Sequence, residues 1–174
     1  MASDPVSDAT RYVGAGYEFG GAPATGTGHW DCSSFVNWVF GHDLGLAIPG
    51  FGAGTYDGKS HGPVVAQWAT WAGASTISSS SRGSLAVWPG IGALGHMGIC
   101  VGDGSMISAL NHVKGTAHTP IQGFGPAGVP VIFRSVNNLQ GAGSGNGSSK
   151  GCASLFGLAI FYCLHHHHPE GEKL

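Results

Sequence analysis

The hydrophobic pattern of this chain changes period once. Up to about residue 73 three stretches read as helices, separated by a glycine-rich loop (16–30) and a turn-rich segment (46–62), and from 84 to 136 the segments read as strands. Residues 6–14 fit a short amphipathic helix ending in glycine. Asp31 reads as an N-cap, and CSSFVNWVFGHDLG as the helix it opens, with Phe35, Trp38 and Val39 on one face and Gly41 or Gly45 at the end. PVVAQWATWAG (63–73) reads as another helix, with Pro63 at its first position. STISSSSRG then reads as a polar loop. SLAVWP (84–89), the two arms of GHMGICVGDGSMISALN (95–111), GTAHTPI and VPVIFRSV (129–136) follow as strands, the second and third joined at Asp103-Gly104. Helices first and antiparallel strands later define an α+β domain and exclude alternating βαβ units.

The surface of such a domain must be built mostly without ion pairs, because only 9% of the residues are charged while 32 of the 174 are glycine. Net charge is −2 with no basic block, which excludes a nucleic-acid footprint. The opening MASDPVSDATRYVGAG has neither a basic nor an apolar leader region, so no Sec signal is expected. The expected domain is 1–136, followed by a Gly/Ser linker at 137–151 and an apolar segment with a histidine-containing tail at 152–174. CASLFGLAIFYCL is too short to span a bilayer comfortably, and HHHHPEGEKL reads as a vector-derived or incidental tail rather than a metal site. The cysteines, at 32, 100, 152 and 163, have no zinc-finger spacing; a bridge between Cys152 and Cys163 is left open.

Cys32 stands between an acid and two serines at a helix start, where unpaired backbone N–H groups favour a thiolate and offer an oxyanion site. Asp31 is assigned capping rather than activation, because its charge opposes thiol ionisation. Cys100 sits in an apolar strand and reads as packing. A thiol nucleophile needs a base. Among the histidines outside the tail, His29 precedes the cap, His42 lies far along the helix, and His61 sits in a turn-rich loop. His96 follows a glycine at the start of a strand that would hold it, and is the candidate base. A two-residue turn at Asp103-Gly104 places Gly102 opposite Ser105 and hence His96 opposite Asn111, giving a Cys–His–Asn set. A slip of one residue would bring in Ser108 or His112 instead.

Five segments resemble the NlpC-type cell-wall cysteine peptidases, papain-like enzymes related to the CHAP amidases. GYEFGG resembles their Tyr-x-x-Gly-Gly loop, DCSSFVNWVF their Asp-Cys-Ser-x-Phe-Val motif, GSLAVWP their Gly-Asp-Leu strand with Ser84 in place of the aspartate, GHMGICVGDGSMISAL their His-x-Gly-Ile hairpin, and VPVIFRSV their closing strand. The third polar residue of many members falls at Ser108. The resemblance implies a papain-like fold with N-terminal helices on a central antiparallel sheet. It also implies hydrolysis of amide bonds in peptidoglycan stem peptides through an acyl-enzyme, without cofactor or metal. Cys32 would be nucleophile, His96 base and then acid, Asn111 the residue holding His96, and Tyr17 and Ser33 would help position substrate. The motifs most resemble domains of phage tail or lysis proteins, which implies a virion-associated or Sec-independent exported protein with other such proteins as partners. Activity is expected to fail at low pH, where a thiolate–imidazolium pair is lost. An acyltransferase on the same triad, and a non-catalytic wall-binding or virion domain, are the alternatives.

Overall fold

A computed structural model describes residues 4–23 and 29–139 of the chain; the expected linker from 140 on, the apolar segment with its Cys152 and Cys163, and the tail lie outside them. Three short helices precede a six-stranded antiparallel sheet. Helix α1 (Pro5–Thr10) is shorter than the stretch expected over 6–14. It starts on Asp4, whose carboxylate accepts from the Val6 and Ser7 amides, and Arg11–Gly14 continue as turns.

Helix α2 (Cys32–Asn37) begins where the capping chemistry places it. Asp31 accepts from the Ser33 and Ser34 amides, and the Asp31 N–H donates to the Ser34 hydroxyl oxygen at 2.9 Å. Such a cap contributes about 1 kcal/mol. The helix widens into a π-helical stretch, Trp38–Asp43, and the chain reverses at Gly45, whose φ is +61°. Its inner face buries Phe35, Val36, Val39 and Phe40 completely, each stabilising the fold by about 1.5–3 kcal/mol over exposure. Helix α3 (Val65–Thr70) starts two residues later than Pro63, on Val64, whose N–H is taken by the Gln67 side chain.

The strands are β1 (Ala74–Ile77), β2 (Leu85–Trp88), β3 (His96–Cys100), β4 (Ser105–Asn111), β5 (Gly115–Pro120) and β6 (Ile132–Val136). Their order in the sheet is β1-β6-β2-β3-β4-β5. Strand β1 occupies the stretch expected to open a polar loop: Ser75 and Thr76 face water at the sheet edge, so it carries no apolar alternation.

One face of the sheet (Leu85, Val87, Met97, Ile99, Ile107, Ala109) meets the helices. The other (Ala86, Trp88, Cys100, Met106) is covered by Phe124, Val129, Val131 and neighbours from the chain between β5 and β6. Cys100 is fully buried in that second cluster, as packing requires.

The hairpin register differs from the expected one. Ile99 pairs with Ile107 and Cys100 with Met106, and Val101 N–H reaches the Ser105 carbonyl at 2.9 Å. Three residues, Gly102-Asp103-Gly104, therefore form the loop, with both glycines at positive φ. This slips β4 by one residue and reverses which of its side chains share a face with His96.

Candidate active site

The Asp31 cap fixes Cys32 on the first turn of α2, and β3 fixes His96 at its first residue. Both line one cavity of about 400 Å³, together with Tyr17, Asp31, Ser33, His61 and a mostly apolar wall. Phe19, Val64 and Leu94, 69%, 43% and 60% exposed, stand among its lining residues. The backbone N–H groups of Met97, the residue after His96, of Ser33 and of Cys32 itself favour the ionised sulfur.

Gly95 and Gly98 bracket the histidine for steric reasons. At Gly95, φ +79°, a Cβ would lie 2.8 Å from both the Trp88 carbonyl oxygen and Val65 Cγ1. At Gly98 it would lie 2.7 Å from Met106 Sδ and 2.9 Å from Ser108 Cβ. The bare Gly98 backbone leaves Ser108 room to reach His96.

His96 Nε2 lies 2.9 Å from Ser108 Oγ, and Ser108 Oγ lies 2.7 Å from the Met97 carbonyl oxygen. A hydroxyl has one proton, and a carbonyl can only accept. Ser108 therefore donates to Met97 and accepts from His96 Nε2–H. The neutral imidazole is held with Nδ1 unprotonated, the nitrogen a base must use. Asn111, expected to hold His96, instead accepts the Val113 and Lys114 amides at 3.0 and 2.9 Å and closes the turn into β5. The one-residue slip is the cause. His112 is exposed in the same turn.

Burial governs the two reactive groups. It pushes the Cys32 thiol up to about 12, with the adjacent Asp31 charge adding to the rise against the three backbone donors. It pushes His96 down to about 4, opposed weakly by Asp31. Phe124 tilts over the His96 ring at 4.7 Å between centroids. Burial thus disfavours the charged form of each group, against the direction that a thiolate–imidazolium pair requires.

Tyr17 is held beside the cysteine by a bridge to Trp30, and Ser33 spends its hydroxyl on Asp31 at 3.0 Å. His61 enters the cavity unannounced by any local motif: its Nε2 lies 2.9 Å from Asp31 Oδ2. Asp31, drawing also on Gly20, Ser33 and Ser34, is lowered to about 2 despite burial, with the His61 bond the largest lowering influence.

A buried thiol at a helix start and a sheet-borne imidazole of fixed tautomer line one cavity, as a cysteine peptidase or amidase of papain-like fold requires. The NlpC/P60 family model matches residues 14–124, more than half of the chain, and the protein belongs to the NlpC/P60 family. Solved structures resemble it at low identity. The NlpC/p60 domain of the peptidoglycan hydrolase SagA superposes with TM-score 0.54 at 22% identity, covering 78% of this chain and 97% of that one. The peptidoglycan hydrolase RipB from Mycobacterium tuberculosis gives 0.53 at 22%, covering 76% of this chain and 63% of that one. The P60 domain of an antigen from M. avium subspecies paratuberculosis gives 0.53 at 18%, covering 75% and 90%. No curated protein matches the sequence.

Proposed function

We propose that this protein is a peptidoglycan hydrolase that cleaves amide bonds of wall stem peptides through a thioester on Cys32. The observation that carries the reading is the Ser108-fixed tautomer, which leaves His96 Nδ1 basic in the side chain that shares a cavity with the thiol. Membership of a family whose solved relatives include peptidoglycan hydrolases supplies the substrate class. The phage tail or lysis setting, with other virion proteins as partners, rests on the glycine-rich, charge-poor style of the sequence. Among the described residues no helix is long and apolar enough to cross a membrane.

In this mechanism Cys32 Sγ attacks the amide carbonyl carbon while its proton passes to His96 Nδ1. A proton moved in step with bond formation avoids a buried ion pair. The carbonyl electrons move to oxygen, where the Cys32 N–H, which takes no part in the Asp31 cap, offers a hydrogen bond. Collapse of the tetrahedral adduct breaks the C–N bond, and the leaving amine takes the proton from Nδ1. Water then attacks the thioester with Nδ1 as base, releasing a carboxylic acid and restoring the thiol. Tyr17 and the apolar wall position the acyl side.

The test is mass spectrometry of purified wall fragments incubated with wild type and with Cys32→Ala. New stem-peptide products should come from wild type only. Identical products from both proteins, or none from folded wild type, overturn the proposal. Amine-capped products on adding a free amine would move the assignment to acyl transfer.

A further inference from the structure

We infer that His61 is a positioning residue of this site: an imidazolium built into the cavity wall to hold the Asp31 carboxylate and mask its charge beside the Cys32 nucleophile. The inference rests on the reading of Cys32 as nucleophile.

Hydrogen-bond arithmetic gives the charge. His61 Nε2 lies 2.9 Å from Asp31 Oδ2, and Nδ1 lies 3.1 Å from the Gly62 carbonyl oxygen. An ionised carboxylate and a carbonyl can only accept, so both ring nitrogens must carry protons. The charge-assisted bond to Asp31 raises the His61 pKa and outweighs partial burial, which opposes the charged ring.

Its backbone is held by dedicated contacts. Asn37, on α2, donates to the His61 and Pro63 carbonyls at 2.9 Å each and accepts from Trp68 Nε1–H at 2.8 Å. The Tyr56 hydroxyl donates to the Ser60 carbonyl at 3.0 Å. Gly62 sits at φ +78°, where a Cβ would press within 2.8 Å of Asn37 Nδ2. The loop thus delivers one side chain into the cavity, 22% exposed.

The need for a masking charge follows from the sequence. Asp31 must precede Cys32 to cap α2, yet its carboxylate opposes thiol ionisation. A fixed cation on Asp31 Oδ2 keeps the cap and offsets the opposition. The titratable groups around His61 are Asp31 from the cap, Tyr17, Cys32 and His96 around the cavity, and Tyr56 behind its backbone; Asp57 and Lys59 of the same loop pair with each other at 2.9 Å.

Two measurements test this without substrate. First, 15N NMR of the histidine rings at pH 7 should give His61 two protonated-nitrogen signals in wild type, and neutral signals in Asp31→Asn. A neutral His61 in wild type overturns the inference. Second, the rate of Cys32 alkylation by iodoacetamide is followed against pH by peptide mass spectrometry. His61→Gln should raise the apparent thiol pKa by about one unit, slowing alkylation about tenfold on the acid side. The same substitution in an Asp31→Asn background should change the rate less than twofold, and His61→Arg should restore most of it. Equal slowing in both backgrounds would assign His61 a purely structural role and overturn the masking. An alkylation shift without wall cleavage leaves this inference standing and removes the hydrolase reading; cleavage with no shift does the reverse.

Discussion

Replacing Ser108 by alanine removes the one contact that fixes the His96 tautomer. The substitution takes away the acceptor 2.9 Å from Nε2–H and the donor 2.7 Å from the Met97 carbonyl, in a place where Ser108 is fully buried and His96 is 9% exposed. A buried donor left without a partner costs about 1–3 kcal/mol, and the unfolding midpoint should fall accordingly. The chemical step suffers separately. An imidazole free to rotate and to exchange tautomers spends only part of its time with an unprotonated Nδ1. A kcat loss of about 10- to 100-fold corresponds to about 1.4–2.7 kcal/mol of transition-state stabilisation. KM should change little, because Ser108 lies behind the imidazole rather than in the cavity that Cys32 lines. The assay is steady-state hydrolysis of a soluble stem-peptide substrate, with Asn111→Ala in parallel. Asn111→Ala loses a turn cap worth about 1 kcal/mol and should keep kcat within about twofold. If the two variants lose kcat equally, or Ser108→Ala keeps full activity, the tautomer argument fails.

Three further outcomes follow from the same geometry. Gly98→Ala should lose activity with the fold largely kept, since a Cβ 2.9 Å from Ser108 Cβ pushes the serine off His96; a crystal structure with an unmoved Ser108 would refute this. Thr116→Val should lower stability by about 1–3 kcal/mol in urea melts, because it strands the buried Trp30 Nε1–H that donates to Thr116 Oγ1 at 2.9 Å. His96, depressed to about 4 from about 6.5 unfolded, binds fewer protons in the native state between those values. Stability should therefore fall as pH drops from 6.5 to 4, by a few kcal/mol at most, and His96→Gln should flatten that slope.

How far the sequence could be read depends on the range of the forces involved. The cap and helix at Asp31-Cys32 were legible because an aspartate, two serines and their amides satisfy one another within four residues. His96 was legible because the glycine before it and the alternation after it are local. The partner of His96 was not. Gly102-Asp103-Gly104 accommodates either a two-residue loop at Asp-Gly or a three-residue loop using both glycines, and the choice decides whether Ser108 or Asn111 shares its face. The role of His61 was hidden because Asn37 and Tyr56, well separated in sequence, hold its loop in place. Strand β1 was missed because an edge strand of Ser and Thr takes its definition from pairing with β6, more than fifty residues away.

A serine anchor suits a site where burial disfavours charge. Ser108 projects from the sheet face shared by Cys100, Met106 and Trp88, with Phe124 over the imidazole. A carboxylate there would be buried among apolar groups, where its desolvation opposes any gain from meeting an imidazolium. A hydroxyl whose proton is already committed orients the ring without adding charge. The consequence is kinetic. With His96 depressed to about 4, its imidazole stays unprotonated well below neutrality; if it is the proposed base, the acid limb of kcat/KM for free enzyme should fall near pH 4–5 rather than near 6.5. Initial rates on a soluble stem-peptide substrate from pH 4 to 8, each point restricted to protein shown folded by circular dichroism, would locate it. A limb at 6.5 or above would mean that the imidazolium is stabilised before substrate arrives, and that the ion pair, not the neutral pair, is the resting state.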